Sequence, residues 1–228
     1  MAKSHCLVVM ARYPRRGRSK TRLIPALGRR GAAELHRRMA GHTLLTARQA
    51  ACEQEIDLCV YGTGARPGRF RRWLGQGPRY RRQIGQDLGQ RMARAFAAQC
   101  VRHDRVVIIG TDCPNLTPAI IGEAFALLDN HELVVGPAAD GGYYLIGLKH
   151  PVPELFERIT WGGKEVLQQT LTRAQKLDLG FARLPVLHDV DRPEDLPVWE
   201  AAGGTAEHHS SGFRLSVIIP ALNEADSI

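Results

Sequence analysis

Two hydrophobic patterns alternate along the chain: short runs of consecutive apolar residues, and longer segments in which apolar residues recur every three or four positions. The short runs are typical of strands buried on both faces of a sheet, and the longer segments of amphipathic helices. The predicted strands are residues 6–11, 56–61, 82–84, 106–109, 132–137, 142–148 and 180–186. The predicted helices are residues 31–52, 70–74, 87–99, 118–129, 163–174 and 193–202. Their alternation predicts a three-layer α/β/α fold around a mostly parallel sheet.

The pattern changes near residue 203. Residues 203–212 are small, polar and rich in glycine, which is typical of a linker. Residues 213–228 then open a fresh apolar run that stops where a helix would start. We therefore predict one domain over residues 1–202, a linker over 203–212, and the first strand of a second, truncated domain over 213–228.

The apolar run at 106–109 is followed by a Gly-Thr-Asp turn, which places Asp112 directly after a buried strand. In an open α/β sheet, ligands bind at the carboxyl ends of the strands. Thr117 and Pro118 are typical of the N-cap and first turn of a helix. Asp112 is therefore expected between a strand end and a helix start, where a functional carboxylate would lie.

The loop after the first strand, residues 12–23, is dominated by cationic side chains. It lacks the glycine that a P-loop places directly before its lysine, because Ser19 occupies that position. Lys20 and Arg22 in a glycine-containing loop nevertheless suit a phosphate, through backbone N–H groups, a lysine point charge and an arginine fork. We favour phosphate binding over the alternative, a solvated basic loop.

Asp189 and Asp191 follow the last predicted strand, and their spacing places both on one face of an extended segment. Both could reach the same sheet edge as Asp112. Grouped carboxylates raise one another's pKa and cost stability unless a cation compensates them, and oxygen ligands favour Mg²⁺ or Mn²⁺. From spacing alone, a second interpretation is equally open: Asp189 or Asp191 caps the helix that starts near Pro193.

Two other aspartates have both structural and functional interpretations. Asp140 precedes Gly141 and Gly142, so it is either a turn residue or a ligand for a substrate hydroxyl or amine. Asp87 lies near the positive end of a predicted helix, and Arg91 follows one turn later. For this pair alone we favour a structural ion pair.

No nucleophile system is evident. The five cysteines form no Cys-x-x-Cys pair, which favours free thiols in a reducing compartment over disulfides or zinc. Cys113 has a carboxylate rather than a cation beside it, so nothing indicates a reactive thiolate. We interpret His188 as a loop histidine.

Composition and net charge narrow the class of protein and raise the question of what its basic residues bind. The 228 residues are 44% hydrophobic and 24% charged, which is ordinary for a soluble domain. With neither a long apolar run nor a signal peptide, we expect a cytoplasmic protein without a membrane span. The net charge of +8 comes from basic residues concentrated at 12–38 and 66–82. A solvated surface is the favoured explanation, ahead of a small phosphorylated ligand and then nucleic acid.

Taken in chain order, the motifs resemble those of the radical-SAM/selenodomain-associated transferase 1 family. That family is also described as glycosyltransferase-like, and some members are assigned to arsenosugar biosynthesis. The motifs are Ala11-Arg-Tyr-Pro14, Gly17-Arg-Ser-Lys-Thr-Arg-Leu23, Gln86-Asp-Leu-Gly-Gln-Arg-Met92, Gly110-Thr-Asp-Cys-Pro114, Asp140-Gly-Gly-Tyr-Tyr-Leu-Ile-Gly147, Trp161 and Asp189-Val-Asp-Arg-Pro-Glu-Asp-Leu196. One departure is Gly162-Gly163, which stands where the family usually carries Ser or Thr.

The resemblance implies a nucleotide-diphospho-sugar transferase fold of the GT-A type, shared with nucleotidyltransferases of molybdopterin and coenzyme F420 synthesis. It implies that a divalent metal, Mg²⁺ or Mn²⁺, binds the aspartates, which favours metal binding over capping. The predicted site residues divide by role. Catalytic roles are predicted for Asp112 and Lys20, nucleotide or phosphate binding for Arg12, Gly17, Lys20, Thr21, Arg22 and Asp87, substrate binding for Asp140, Gly141, Gly142 and Trp161, and metal binding for Asp112, Asp189 and Asp191.

We therefore expect a metal-dependent transferase that uses a nucleotide-activated donor and an unknown acceptor. Glycosyl transfer is favoured on the family resemblance, and nucleotidyl transfer with pyrophosphate release is the alternative. A noncatalytic nucleotide-binding module and a nucleic-acid binder are competing hypotheses. Residues 216–224, Ser-Val-Ile-Ile-Pro-Ala-Leu-Asn-Glu, resemble the opening strand of family-two glycosyltransferases, which implies a fused downstream domain.

Overall fold

The computed structural model describes residues 4–204. The strands are β1 (His5–Arg12), β2 (Asp57–Thr63), β3 (Arg79–Arg82), β4 (Arg105–Ile109), β5 (Leu133–Pro137), β6 (Tyr143–Leu148) and β7 (Phe181–Arg183). The helices are α1 (Ile24–Glu53), α2 (Pro67–Leu74), α3 (Leu88–Gln99), α4 (Pro118–Leu127), α5 (Val166–Lys176) and α6 (Leu196–Ala201). Short 3₁₀ turns at Thr21–Leu23, Pro153–Phe156 and Pro193–Asp195 connect them.

All seven strands form one sheet in the order β3-β2-β1-β4-β6-β5-β7. Strand β6 runs antiparallel to β4 and β5, and every other neighbouring pair is parallel. The chain builds outward from β1 to β3 and then returns to place β4 on the other side of β1. The carboxyl ends of β1 and β4 therefore flank a topological switch point, where loops diverge and leave a crevice.

Helices cover both faces of the sheet and confirm the three layers. On one face α1, α2 and α4 pack against the strands through side chains such as Leu44, Phe70 and Phe125. On the other face α3 and α5 contribute Phe96 and Leu171. Every residue of β4 is buried, as its uninterrupted apolar run predicts.

Element boundaries differ from the predictions where tertiary pairing decides them. The strand predicted at 82–84 lies at Arg79–Arg82, and the one predicted at 180–186 shrinks to Phe181–Arg183. The latter pairs with β5 alone, and Pro185 follows, which has no N–H to donate to a neighbouring strand. Helix α1 extends back to Ile24, but Gly28 (φ 69°) breaks its regular backbone near the predicted start.

Most of the predicted linker and the whole predicted second-domain strand lie outside the described residues. Among residues 4–204, no helix combines the length and apolar character that a membrane span requires.

Candidate active site

Four loops meet at the carboxyl edge of the sheet, at the switch point. They are the basic loop 12–23 after β1, the segment 110–117 after β4, the β5–β6 turn 138–142, and the segment 187–195 after β7. The backbone N–H of Val190 donates to the carbonyl of Asp112 at 2.9 Å, so the segment carrying Asp189 and Asp191 lies directly against the turn carrying Asp112. The sequence prediction that these carboxylates reach one sheet edge is correct.

Lys20 and Asp112 form the central contact of this edge. The Lys20 Nζ lies 2.6 Å from Asp112 Oδ1 and 3.9 Å from Asp191 Oδ1. The Lys20 side chain is 4% exposed, whereas that of Asp112 is 54% exposed, so the ammonium is buried beneath an accessible carboxylate. Loss of water alone would raise the pKa of Asp112, but the Lys20 charge and hydrogen bond outweigh it and hold that pKa below its ordinary value.

The basic loop is folded specifically to present Lys20. Buried Ser19, which replaces the P-loop glycine, accepts a hydrogen bond from the Arg15 N–H at 2.9 Å and donates its own N–H to the Arg15 carbonyl at 3.1 Å. Gly17 supplies a positive φ of 70° for the turn, and Lys20 itself has φ 46°, ψ 51°. A non-glycine residue in this left-handed region is strained, and such strain clusters at functional sites.

The other predicted phosphate ligands surround Lys20. Arg12 ends β1 with an exposed side chain, and its charge contributes to lowering the pKa of Asp112. Arg22 forms an ion pair with Asp191. Thr21 begins the 3₁₀ turn that leads into α1. The structure therefore brings the cations of the basic loop to the same edge as the carboxylates.

Two histidines of α1 hold these loops in place, and the sequence analysis missed both. His36 Nε2 donates to the Arg12 carbonyl and His42 Nε2 to the Pro114 carbonyl, each at 2.9 Å. Burial lowers the pKa of His36, which favours the neutral ring. The signal that could have identified them is their position in the predicted helix 31–52, among its apolar residues.

A separate apolar cluster locks the basic loop to the aspartate segment. Leu23 from the loop and Val190 from between the two aspartates pack with Trp199 of α6 and with α1 residues such as Met39. The Trp199 ring also meets His42 edge-on, with centroids 5.8 Å apart. Packing on α1 thus fixes Lys20, Asp112 and Asp191 relative to one another.

The capping alternative for Asp189 and Asp191 is wrong. It is the Asp195 carboxylate, through Oδ2, that accepts the backbone N–H groups of Asp191 at 3.0 Å and Arg192 at 2.8 Å. Asp191 instead pairs with Arg22, and Asp189 faces Asp140. Burial and the Asp140 charge raise the pKa of Asp189 above its ordinary value, which indicates negative charge that the protein leaves only partly compensated.

Asp140 combines both predicted interpretations. Its Oδ1 accepts the Gly142 N–H at 2.8 Å, which makes it a turn residue, and its carboxylate also lines the site. Gly141 has φ 92°, and a Cβ there would collide with the Lys164 carbonyl. Gly141 is therefore required so that the turn can pack against the chain before α5.

Two connected chambers lie above these groups. The wider, about 500 Å³, is lined by charged side chains of both signs: three cations, Arg22, Lys164 and Arg192, and five carboxylates, Asp140, Asp189, Asp191, Glu194 and Asp195. The narrower, about 240 Å³, is lined by Asp112 and by apolar or aromatic side chains including Trp161. Both share one wall, formed by Asp140, Gly162, Gly163 and Asp189.

Asp87 occupies a more remote position. It is the N-cap of α3, where Oδ1 accepts the Gln90 N–H at 2.8 Å, and it lines a groove on the other side of Trp161. The predicted ion pair with Arg91 is replaced by hydrogen bonds from the Arg91 guanidinium to the carbonyls of Gly85 (3.1 Å) and Gln86 (3.3 Å). A nucleotide-binding role for Asp87 stays a prediction.

The structure also locates the cysteines and His188, which the sequence analysis interpreted as nonreactive. All five cysteines are free thiols, and Cys113 is buried, with a pKa raised by burial and by nearby carboxylates, which opposes a thiolate. His188 lines the rim of the wide chamber. Within residues 4–204, no three His, Cys, Asp or Glu side chains are arranged as a ready-made metal cluster.

The fold and the two-chambered site define a transferase of the GT-A type. The chain belongs to the family described as "Uncharacterized protein conserved in bacteria (DUF2064)", whose model matches residues 45–163, more than half of its length. The matched region contains Asp112, Asp140 and Trp161 but excludes the basic loop and the segment with Asp189. No curated protein matches the chain's sequence.

Solved structures support the same class. A "putative nucleotide-diphospho-sugar transferase" from Desulfovibrio desulfuricans G20 is 32% identical, with a TM-score of 0.74 and 82% of each chain covered. Glucosyl-3-phosphoglycerate synthase from Mycobacterium tuberculosis, crystallised with Mn²⁺ and UDP, is 14% identical (TM-score 0.55, 90% of this chain and 81% of that chain). A CMP:2-keto-3-deoxy-manno-octonic acid synthetase complexed with CTP is 12% identical (TM-score 0.54, covering 88% and 97%). The last two likenesses concern the fold.

Proposed function

We propose that this protein is a metal-dependent transferase that uses a nucleotide-activated donor, with glycosyl transfer as the reaction. The observation that carries the proposal is the buried Lys20 ammonium held against Asp112 at the switch point. A buried lysine presented by a strained loop, next to accessible carboxylates, suits a ligand that brings both phosphate and a cation.

The basic loop has the charges to bind a diphosphate. Lys20 supplies a point charge and Arg22 a planar fork, and Arg12 adds a third cation at the end of β1. Binding requires Lys20 to exchange part of its contact with Asp112 for a phosphate oxygen. The exchange gives Lys20 a new ionic partner and leaves the Asp112 carboxylate free to bind a cation.

The residues fit a divalent cation. Asp112 and Asp189 line one chamber and offer only oxygen atoms, and the raised pKa of Asp189 marks a place where positive charge is lacking. Mg²⁺ is commonly held by one or two carboxylates together with substrate phosphates rather than by an all-protein cage. We propose Asp112 and Asp189 as the principal ligands, with Asp191 in support through its contacts with Lys20 and Arg22.

When bound, the cation would supply neutralisation of the negative charge that develops on the leaving diphosphate. The protein's own groups orient the reactants. Asp140, in the wall that the two chambers share, would accept a hydrogen bond from a substrate hydroxyl, and Trp161 would bound the substrate in the narrow chamber. Asp87 is proposed to contact the nucleoside portion from the N-terminus of α3.

Nucleotidyl transfer is a second candidate because the CMP:2-keto-3-deoxy-manno-octonic acid synthetase complexed with CTP shares the fold. The two reactions release different products from different donors. A screen that supplies nucleotide-sugars and, separately, nucleoside triphosphates with sugar phosphates separates them. If the reaction is glycosyl transfer, nucleoside diphosphate is released from a nucleotide-sugar. Release of pyrophosphate from a nucleoside triphosphate would show instead that the reaction is nucleotidyl transfer.

The membership in the radical-SAM/selenodomain-associated family and the downstream family-two domain are further proposals. The first is supported by the order of the motifs along the chain, and the second by the resemblance of residues 216–224 to the opening strand of family-two glycosyltransferases. Determining the full-length chain by mass spectrometry of the natural protein tests the second, since a chain ending near residue 228 would contradict it.

A further inference from the structure

We propose that a second binding site lies beside edge strand β3 and takes linked inorganic phosphates, that is, pyrophosphate or a short polyphosphate chain. The site is a pocket of about 390 Å³ between the last turn of α2 and the start of β3. Its lining residues are Arg71, Gln76, Gly77, Pro78, Arg79, Tyr80 and Arg81. Because β3 runs parallel to β2 and β1, its first residues lie at the amino edge of the sheet, opposite the candidate active site. The inference is therefore independent of the proposed function.

The positive charge of this pocket is only partly neutralised by the protein. Arg79 forms an ion pair with Asp57, with Nη2 and Oδ2 3.2 Å apart. Within residues 4–204, by contrast, the guanidinium groups of Arg71 and Arg81 have neither an ion pair nor a hydrogen bond. Both side chains are exposed, and the described residues that line the pocket include no carboxylate. Both guanidinium groups are therefore available to an anion.

A third cation supports the loop that connects α2 to β3. Arg48 of α1 donates from Nη2 to the Leu74 carbonyl at 2.9 Å and to the Gln76 carbonyl at 2.6 Å. These acceptors are neutral, and Arg48 has no carboxylate partner in the described part of the chain, so its charge is not compensated. The charges of Arg48 and Arg71 both act on Tyr80 in the pocket wall, where they oppose the rise in the pKa of Tyr80 that burial causes. The two cations therefore act together at the pocket.

The same loop presents two successive backbone N–H groups. The Gly75 carbonyl accepts a hydrogen bond from the Tyr80 hydroxyl at 2.7 Å, and the Gln76 carbonyl accepts from Arg48. In a trans peptide the N–H points opposite to the C=O, so the N–H groups of Gln76 and Gly77 point away from these donors. Neither N–H has an acceptor among the residues that the structure describes. Successive N–H groups of this kind form a concavity that binds anions.

These groups match linked phosphates. Guanidinium forks bind phosphate oxygens bidentately, and backbone N–H groups add further donors. A phosphate monoester carries about −1.5 to −2 charges at neutral pH, so linked phosphates compensate three cations more completely. Because donors dominate the lining and the carbonyls of Gly75 and Gln76 are occupied, the pocket recognises a phosphate chain rather than a base or a sugar. Its volume lies within the roughly 300–1,000 Å³ typical of small-molecule pockets.

Titration of the full chain with sodium pyrophosphate, in EDTA and at constant ionic strength, tests the inference by two-dimensional ¹H–¹⁵N NMR. The amide resonances of Gln76 and Gly77 report on this pocket, and those of Lys20 and Thr21 report separately on the basic loop. Saturable shifts of the Gln76 and Gly77 resonances are expected. Sulfate at matched ionic strength should shift them less, because it brings a single tetrahedral anion of lower charge.

Two double variants with the same change of charge separate the pocket from the general positive surface. Arg71→Gln with Arg81→Gln removes the two available guanidinium groups and should weaken pyrophosphate binding about tenfold or more, because hydrogen bonds to charged groups are lost. Arg72→Gln with Arg82→Gln changes the next residues on the same helix and strand, which are exposed and do not line the pocket. This control should keep the affinity within about twofold, since salt screens exposed charges. Thermal unfolding verifies the fold of both variants.

Three results would overturn the inference. The first is the absence of saturable shifts at Gln76 and Gly77, including the case in which pyrophosphate shifts only Lys20 and Thr21; that case contradicts the second site and leaves the proposed function in place. The second is an equal response to sulfate. The third is an equal loss of affinity in the two double variants, which would indicate a diffuse cationic surface of the kind that binds a nucleic-acid backbone.

Discussion

Lys20 has one observed ionic partner, Asp112, and one proposed partner, a phosphate of the donor. Its ammonium is buried, and its nearest ionic partner, Asp112, is accessible from the site. Sequence reasoning predicted both residues as functional from their separate loops. It did not predict that they contact each other, because the contact depends on the left-handed backbone at Lys20 and on packing against α1.

Replacing Lys20 with methionine is expected to have opposite effects on two ligands. Nucleotide affinity should fall by about tenfold or more, because a charge-assisted hydrogen bond contributes roughly 1.5–3 kcal/mol. Mn²⁺ binding without nucleotide should become tighter, because Asp112 loses a competing cation. Calorimetry and electron paramagnetic resonance measure the two affinities. Arg16→Met, an exposed position in the same loop, is the control, and weaker Mn²⁺ binding in Lys20→Met would contradict the account.

Asp189 predicts a pH-dependent stability. Its pKa is raised above the ordinary value of 3.8, chiefly by burial and then by Asp140. Its charged form therefore lowers the free energy of unfolding at pH values above its folded pKa, and this effect disappears below the unfolded pKa. In EDTA, Asp189→Asn should raise the Tm at pH 7 by a few degrees at most, since 1 kcal/mol corresponds to about 2–4 °C for a chain of this size.

The gain should shrink as the pH is lowered from 7 to 4, as followed by calorimetric unfolding. Exposed Asp104→Asn provides the comparison for removal of a surface carboxylate. A gain in Tm of equal size at both pH values, or a lower Tm at pH 7, would show that the charged form of Asp189 does not destabilise the fold.

At the scale of elements, the residues within α3 and β4 were predictable because each contains a repeated hydrophobic signal. The ends of β7 could not be predicted, because a strand extends only as far as its partner pairs with it. The start of α6 could not be predicted either, because residues 193–195 form a 3₁₀ turn before it. The helix cap was also missed: two aspartates precede Pro193, but the chain turns so that Asp195 reaches back to the orphan N–H groups.

The packing of α3 against the Trp161 segment gives a testable difference between two helical glycines. A Cβ at Gly89 meets the Trp161 ring and lies 2.9 Å from the Phe156 carbonyl, whereas a Cβ at Gly41 of α1 meets nothing within 4 Å. Gly89→Ala is therefore expected to cost about 1–3 kcal/mol, and Gly41→Ala to stabilise by about 0.5–1 kcal/mol. Denaturant unfolding measures both. Equal effects would mean that Trp161 does not rest on α3.

At the scale of the whole molecule, charge is distributed very unevenly. No acidic residue lies between Asp57 and Asp87, and the seven arginines in that interval are all exposed. Arg71 and Arg72 lie in the last turn of α2, which leads into parallel strand β3 and so ends at the sheet edge opposite the site. Arg71 and Arg72 are therefore separable from the basic loop, whereas Arg69 of the same helix lies over the Tyr13 ring of that loop.

This separation predicts that any nucleic-acid binding is nonspecific and independent of the active site. A variant with Arg71→Glu and Arg72→Glu should lose duplex DNA binding at low salt, with a smaller dependence of affinity on salt concentration. Its nucleotide affinity should be unchanged. Fluorescence anisotropy and calorimetry give the two readouts, and a joint loss would place nucleic acid at the site itself.

The fold class was predictable because alternating strands and helices leave few topologies, and the site because a carboxylate following a buried strand in such a fold lies at the binding edge. The two chambers were not predictable. They arise where Trp161, the Asp140 turn and the segment 187–195 converge, and these segments are far apart in sequence.

The most direct test of the central claim is a calorimetric titration of nucleotide-sugars and nucleoside diphosphates, with and without Mn²⁺, into the unmodified chain and Asp112→Asn. Mn²⁺ is expected to strengthen nucleotide binding in the unmodified chain, and Asp112→Asn is expected to lose that metal dependence. Absence of nucleotide binding under all conditions, or identical metal dependence in the two proteins, would contradict it.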